Sequence, residues 1–302
     1  MKEDWSLDER QRNSLRFFEE HAGEWRERAE NDGKKKVSTI LQRNEHAIEI
    51  AKSNLQKIKN SLDLGCGTGE LVLALGKLGI TGFGIDYAEG MVKLANEKAT
   101  RLELGENCKF DVGSVMDYNF NDSTYDLITA FGFIEYLDPG ELPQFFSICK
   151  KMMSDNGILQ VGSRNRLFNM LSLNQFTQAE IGAGTTNKLL NEAITLASVG
   201  SLDEFIDSVV NDNNTSDVLK EYPQTDVAVA GYQYSPSEII HLLDKAGFSI
   251  KSLSPVHFHA LVPVMARENT ELHAQFSNTI HNGFRDEYRL VPQSSTFIIT
   301  AE

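Results

Sequence analysis

Cysteine is scarce in this chain. Cys66, Cys108 and Cys149 are scattered through 302 residues, and no two form a Cys-x-x-Cys pair. That argues against a disulfide framework and against a thiolate zinc cluster, and the expectation is a reduced, cytoplasmic protein. No run of about 18 uninterrupted apolar residues occurs, so no membrane span is expected. The start, Met1-Lys2-Glu3-Asp4-Trp5, lacks the basic-then-apolar layout of a signal peptide. Internal repeats and low-complexity tracts are absent. Positive charge is in the minority: 29 Lys and Arg stand against 43 Asp and Glu, a formal net charge of −14. Such a field repels a phosphate backbone, so nucleic acid is not an expected partner and a small-molecule substrate is. Lys34-Lys35-Lys36 is the one dense basic run, and it reads as a solvated loop.

What is present suits a large folded chain. A hydrophobic content of 41% is ample for a core. Residues 1–60 read as helices packed on that core. Apolar residues at Ile40, Leu41, Ala47, Ile50, Ala51, Leu55 and Ile58 follow near-helical spacing. Residues 61 to 91 then form the most informative stretch. Ser61 to Leu64 is a short apolar strand, Gly65-Cys66-Gly67-Thr68-Gly69 a glycine turn, and Gly69 to Leu78 an amphipathic helix. A second strand, Gly82 to Asp86, ends on an acid. Strand, glycine turn, helix and terminal acid in this order define a nucleotide-type site at the C-terminal edge of a parallel sheet. Further strands are expected at Cys108 to Val112, Tyr125 to Ala130 and Gly157 to Gly162, the last after a turn at Ser154-Asp155-Asn156-Gly157. Alternation with helices implies a parallel sheet covered on both faces.

The turn is Gly-x-Gly-x-Gly, not the Gly-x-Gly-x-x-Gly expected for a pyrophosphate, and the acid Asp63 precedes it. A carboxylate there disfavours a nicotinamide dinucleotide and suits a ligand with a positive end. From Ser61 to Leu159, and again from Tyr234 to the end, the chain resembles the class I S-adenosylmethionine-dependent methyltransferases. Their first motif is similar to Asp63 to Gly69 and their second to Gly84-Ile85-Asp86. The resemblance implies an α/β, Rossmann-like, doubly wound seven-stranded sheet whose last strand, Ser295 to Ala301, runs antiparallel. It places the core at 61–162 and 234–302. Residues 163–233 interrupt it by about 70 residues and read as a helical substrate cap, because so long an insertion is usually functional or disordered. Strand six is expected at Phe248 to Leu253, after a helix opened by the capping box Ser235-Pro236-Ser237-Glu238.

The same resemblance implies S-adenosylmethionine as cofactor and S-adenosylhomocysteine as product. Backbone around Gly65, Gly67 and Gly69 would hold the methionine part, Asp63 its amino group, and Asp86 the ribose. Cys66 reads as a small residue that fits the turn, and Tyr87 and Met91 as packing on the adenine, with ordinary helix core the alternative for Met91. Many relatives carry Gly-Asp after the third strand, where this chain has Gly113-Ser114. Ser114 still accepts a hydrogen bond, Val115 supplies an amide and Met116 an apolar wall. After strand four, Phe131 and Phe133 can line the sulfonium, and Glu135 and Tyr136 either touch substrate or cap the next helix. After strand five, Arg164, Asn165 and Arg166 suit an anionic or hydroxyl-rich substrate, or else pair with the chain's carboxylates.

Beyond strand six, His257 and His259 are spaced i, i+2 and share a side in an extended segment. They read as a general base near the reacting centre, or as hydrogen-bonding groups. As a metal pair they are incomplete, since the sequence marks no third ligand, and His21, His46, His241, His273 and His281 read as ordinary residues. The functional expectation is methyl transfer to a hydroxyl, on a sugar or surface-polysaccharide precursor. The alternatives are transfer to nitrogen or to a quinone or phenol, and a non-catalytic S-adenosylmethionine-binding regulator.

Overall fold

A computed structural model describes residues 9–21, 24, 37–211 and 231–302. The Lys34-Lys35-Lys36 run and residues 212–230 of the expected cap lie outside the described residues. Seven strands form one sheet: β1 (Asn60–Leu64), β2 (Thr81–Asp86), β3 (Cys108–Val112), β4 (Tyr125–Phe131), β5 (Met153–Arg164), β6 (Ile250–Phe258) and β7 (Ser294–Ala301). Their order is β3-β2-β1-β4-β5-β7-β6. The first five run parallel, and β7 is antiparallel to both β5 and β6. The direction of winding reverses at β1 and β4, so the ends of these strands diverge there and leave a crevice.

The strands follow from sequence chemistry. Leu62 and Leu64 of β1 are fully buried, each contributing about 1.5–3 kcal/mol of apolar burial. A central parallel strand is covered on both faces, which is why β1 reads as apolar rather than alternating. Two strands depart from expectation. The turn expected at Ser154 to Gly157 lies inside β5 as an irregularity: pairing advances five residues along β5, Met153 to Ile158, against two along β4, Tyr125 to Leu127. Strand β6 runs past Leu253 to Phe258 because Pro255 and Val256 still pair with Phe297 and Thr296 of β7. His257 therefore lies within the strand, in left-handed backbone at φ 55°.

Helices cover both faces. On one, α2 (Thr39–Ser53) packs Ala47 and Ala51 against Leu71 and Leu75 of α3 (Glu70–Gly76). On the other, α5 (Leu142–Met152), which follows α4 (Glu89–Arg101), and α10 (Pro236–Lys245) join the main core. Between β5 and α10 the described residues form helices: α6 (Asn169–Ser172), α7 (Gln175–Gly182), α8 (Thr186–Ser198) and α9 (Leu202–Val210). Leu189, Leu196, Phe205 and Val209 from α8 and α9 belong to the same apolar cluster as β4 and β5. This region is fused to the sheet rather than appended. Near the start of the chain, α1 (Glu9–Glu20) lies beside α4 and the turn after β4. The helices α11 (Pro263–Glu268) and α12 (Thr270–Gly283) connect β6 to β7.

Candidate active site

The glycine turn is held by the acid at the end of the neighbouring strand. Asp86 Oδ2 accepts from Gly67 N and Oδ1 from Ala88 N, both at 2.9 Å. Gly65 and Cys66 donate to Ile85 O at 2.9 and 3.0 Å. Each carboxylate oxygen keeps a further lone pair for a ribose hydroxyl. Glycine is required at Gly65, where φ is +75° and an added Cβ would lie 2.6 Å from the Phe133 ring. Gly69, φ +79°, caps α3 and would drive a Cβ into Phe110 at 2.7 Å.

Asp63 ends β1 one residue before Leu64, with Oδ1 accepting from Thr129 Oγ1 at 2.7 Å. Burial pushes its carboxyl up to about 7, against the hydrogen bond from Thr129, with Asp86 and Glu70 adding to the rise. Burial likewise raises Asp86, opposed by its backbone hydrogen bonds. Cys66 is buried, and burial carries its thiol well above the ordinary thiol range, so it is no nucleophile. This edge is therefore rich in acids. Glu70 pairs with Lys98, whereas Asp63 has only the Thr129 hydroxyl and a distant influence from Arg43. A cationic group beside Asp63 would restore its charge, so the residues present fit an ammonium and sulfonium ligand.

A cavity of about 500 Å³ opens from this edge. Asp63, Gly65, Cys66, Gly67, Asp86, Tyr87, Met91 and Phe131 line it, as do Phe133, Glu135, Tyr136, Arg164 and Asn165. Gly69 stands behind as the cap of α3. A smaller recess of about 50 Å³ adjoins it, lined by Ser114, Val115 and Met116 and sharing Asp86, Tyr87, Phe133 and Tyr136 with the larger cavity. That recess is the wall expected for the adenine. Helix α1 contributes Gln11 to the recess and Phe18 to the cavity. Its Glu19 carboxylate accepts from Gly90 N at 3.2 Å, and Phe18 meets Tyr136 edge-on. Residues of α1 and α2 thus line the site.

Sequence reasoning missed Arg43. It lies on α2, whose amphipathic spacing marked only the apolar face. Its guanidinium crosses above Gly132, where an added Cβ would come within 2.5 Å of Nη1. Arg43 is half-buried, with Glu135, Tyr136, Arg164 and Asp63 as its charged or titratable neighbours, and desolvation lowers its pKa against the three acidic ones. Among the described residues its Nε has no hydrogen-bond partner, and neither has Oε1 of buried Gln233. Both residues line the cavity, with Asn44, Asn169, Ser172, Asn174, Ser295 and Thr296. Arg164 lines it too, and its backbone N–H donates to Glu135 Oε1 at 2.6 Å, which fixes Glu135 against the end of β5.

Two of the expected substrate residues are structural. Arg166 does not line the cavity. It is 2% exposed and ion-paired, through Nε and Nη2 to Glu180 of α7 and through Nη1 to Glu238 of α10, at 2.8–2.9 Å. The chain's carboxylates have captured it, and it staples the helical region to the core. Asn165 touches the cavity wall, but its amide donates to Val291 O and Ser294 O at 2.7 and 2.8 Å, and its Oδ1 accepts from Leu167 N. Its polar atoms are committed to holding the chain turn after β5.

The histidines are a further correction. Neither His257 nor His259 lines the cavity. His257 Nδ1 is 2.8 Å from Ser295 Oγ, and His259 packs on Phe168; Ser295 and Phe168 are the residues that line it. Burial lowers His257 to about 4 and His259 to about 3, with neighbouring imidazoles adding to the fall. Rings so reluctant to take a proton, one layer behind the wall, are poorly placed as general bases. His273 of α12, read from sequence as ordinary, joins them: its Nε2 lies 3.2 Å from His257 Nε2. Only the fold brings it there, since nothing in the spacing signals it.

The sheet order and the glycine-turn site are those of a class I S-adenosylmethionine-dependent methyltransferase fold. Comparisons agree. A family model described as "Methyltransferase domain" matches residues 62–157. A demethylmenaquinone methyltransferase of Geobacillus kaustophilus is 32% identical over 107 residues, 34% of this chain and 43% of that protein. One of Lactiplantibacillus plantarum is 33% identical over 106 residues, 33% of this chain and 45% of that protein. The chain spans less than half the length of these relatives. Among solved structures, a magnesium protoporphyrin IX methyltransferase from Synechocystis PCC 6803 with bound S-adenosylhomocysteine gives a TM-score of 0.52, at 16% identity, over 97% of this chain and 99% of that one. A S-adenosylmethionine-dependent methyltransferase from Clostridium acetobutylicum gives 0.51 at 12% identity, over 88% and 92%. The chain carries a methyltransferase domain on this fold.

Proposed function

We propose that the protein transfers a methyl group from S-adenosylmethionine to an oxygen of a small, polar acceptor that carries an anionic group. The observation that supports this best is one cavity lined both by the acids of the glycine turn and by Arg43 and Arg164. The cofactor, when bound, supplies a methyl group already activated on a sulfonium. Asp86 would hold the ribose, Asp63 the ammonium, and Ser114, Val115 and Met116 the adenine. The protein's remaining task is to place the acceptor in line and to exclude water. Phe131 and Phe133 supply ring faces to the cation. Arg43 and Arg164 would dock the anionic group, and the amides of Asn44, Asn169, Asn174 and Gln233 suit hydroxyls, as on a sugar or a surface-polysaccharide precursor.

The test is calorimetric titration with S-adenosylmethionine, S-adenosylhomocysteine and NAD, with Asp86→Ala as control. Binding of the first two, lost in the control, is expected. An acceptor panel read by S-adenosylhomocysteine release follows, with anionic sugars set against neutral phenols and quinols. Binding of NAD alone would overturn the cofactor assignment. Turnover confined to the neutral acceptors would overturn the acceptor class.

A further inference from the structure

Behind the cavity wall, three imidazoles from two separate elements converge. His257 and His259 come from the end of β6 and the residue after it, and His273 from the first turns of α12. One nitrogen of each lies within 4.8 Å of the other two. The ring centroids are 4.6, 5.1 and 4.6 Å apart, so the rings surround a common point. The cluster is largely shielded, and His273 is 7% exposed. Buried polar atoms are normally satisfied, yet among the described residues both ring nitrogens of His259 and Nδ1 of His273 have no hydrogen-bond partner. The Leu261 backbone is near His259 without reaching hydrogen-bond geometry.

We propose that His257, His259 and His273 form a site for one divalent transition-metal ion of the zinc class. Imidazole is a favoured ligand for such ions. Two nitrogens bound tetrahedrally at ordinary zinc distances stand about 3.3 Å apart, and His257 Nε2 and His273 Nε2 stand 3.2 Å apart. Two hydrogen-bond acceptors at that distance repel unless a proton or a metal lies between them. His259 offers the third nitrogen, within 4.8 Å of the other two. The second sphere is already built. His257 Nδ1 is 2.8 Å from Ser295 Oγ, whose hydroxyl faces His257 O at 3.4 Å. A proton on Nδ1 donating to that hydroxyl leaves Nε2 with its lone pair toward the ion, as metal-bound histidines require. The left-handed backbone of His257, uncommon for a residue with a Cβ, turns its ring into the cluster. Its N–H donates to Gln42 Oε1 at 2.9 Å, one residue from Arg43, and Gln42 Nε2 reaches Ser277 and Asn278 of α12 at 3.3 Å. An ion here would tie β6 and α12 to the helix that carries Arg43. This inference stands on the cluster itself and does not depend on the acceptor.

The test uses the full chain with any affinity tag removed and the buffer free of chelator. Zinc or cobalt is titrated by calorimetry, and cobalt is followed by visible absorption. The expected result is one ion per chain with the intense visible bands of tetrahedral cobalt. His273→Ala should weaken binding by more than about tenfold, whereas His21→Ala, away from the cluster, should leave it unchanged. Circular dichroism of each variant reports folding. Should His273→Ala fail to fold, Ser295→Ala, which removes the outer partner of His257 and leaves all three imidazoles, should still weaken metal binding severalfold. No binding by the wild-type chain, or equal loss in His21→Ala, would overturn the site. Loss of metal binding with S-adenosylmethionine binding intact separates this result from the proposed function.

Discussion

Two groups of residues that line the cavity are built differently. At the cofactor edge, the ligand-facing geometry is set within 25 residues of chain. Asp86 holds Gly67 and Ala88, and Gly65 and Gly69 sit at positive φ where side chains would collide. At the acceptor wall, Arg43 comes from α2, Arg164 from β5, Asn169 and Asn174 from the helical region, and Ser295 from β7. Backbone conformation makes the first, and convergence of distant side chains makes the second. The difference teaches where each group is vulnerable. A single substitution in the turn removes the ligand contact and its support together, while one at the wall removes one contact among several.

The largest effect that sharpens this contrast is expected from Asp86→Ala. It deletes the two hydrogen bonds that hold the turn and, on the proposed cofactor assignment, those to two ribose hydroxyls, and charged hydrogen bonds contribute about 1.5–3 kcal/mol each. S-adenosylmethionine binding should fall by more than about a thousandfold in calorimetry. Arg166→Met acts on neither group directly. It leaves Glu180 and Glu238 buried without their cation, and loss of one member of a buried pair costs about 3–5 kcal/mol. Urea denaturation should show that loss. An unchanged midpoint would mean that the helical region is not stapled by this network. Arg43→Ala comes next. The KM for the acceptor should rise roughly thirtyfold, the equivalent of one charged hydrogen bond, with the S-adenosylmethionine dissociation constant within about twofold. A parallel loss of cofactor affinity would erase the distinction between the two groups.

The same contrast explains what was legible in the sequence. The strand, turn, helix and acid from Ser61 to Asp86 are contiguous, and each residue's task is local, so pattern and propensity sufficed. The parallel core and the antiparallel β7 followed from the alternation of elements and the resemblance it supports. Strand β6 ran longer than expected because pairing with β7 tolerated Pro255, a tertiary effect that local turn chemistry does not encode. Arg166 looked like Arg164, two residues away. Only the fold shows that one meets Glu180 and Glu238 while the other meets the cavity. Arg43 and His273 carried no signal because each sits on an ordinary helix, and its partners lie far away in sequence.

Asp63 gives the finest test, since it belongs to the cofactor edge and yet feels Arg43 from the wall. Burial raises its carboxyl to about 7 from an ordinary 3.8. The folded protein therefore holds this proton more tightly than the unfolded chain does. The contribution of Asp63 to stability is fully present below the ordinary carboxylate range and declines as pH rises from about 4 to about 7. Binding of a cation reverses the preference, because the ionised carboxylate is the form that holds an ammonium. Affinity for S-adenosylmethionine should therefore climb by about tenfold between pH 6 and pH 8. Asp63→Asn should bind more weakly and lose that slope. Calorimetry of both proteins across this range decides the matter. An equal slope in the variant would move the titration to another group, such as Asp86, which burial also raises. A flat profile in the wild type would mean that Asp63 is already ionised before the ligand arrives, with Arg43 supplying the compensating charge.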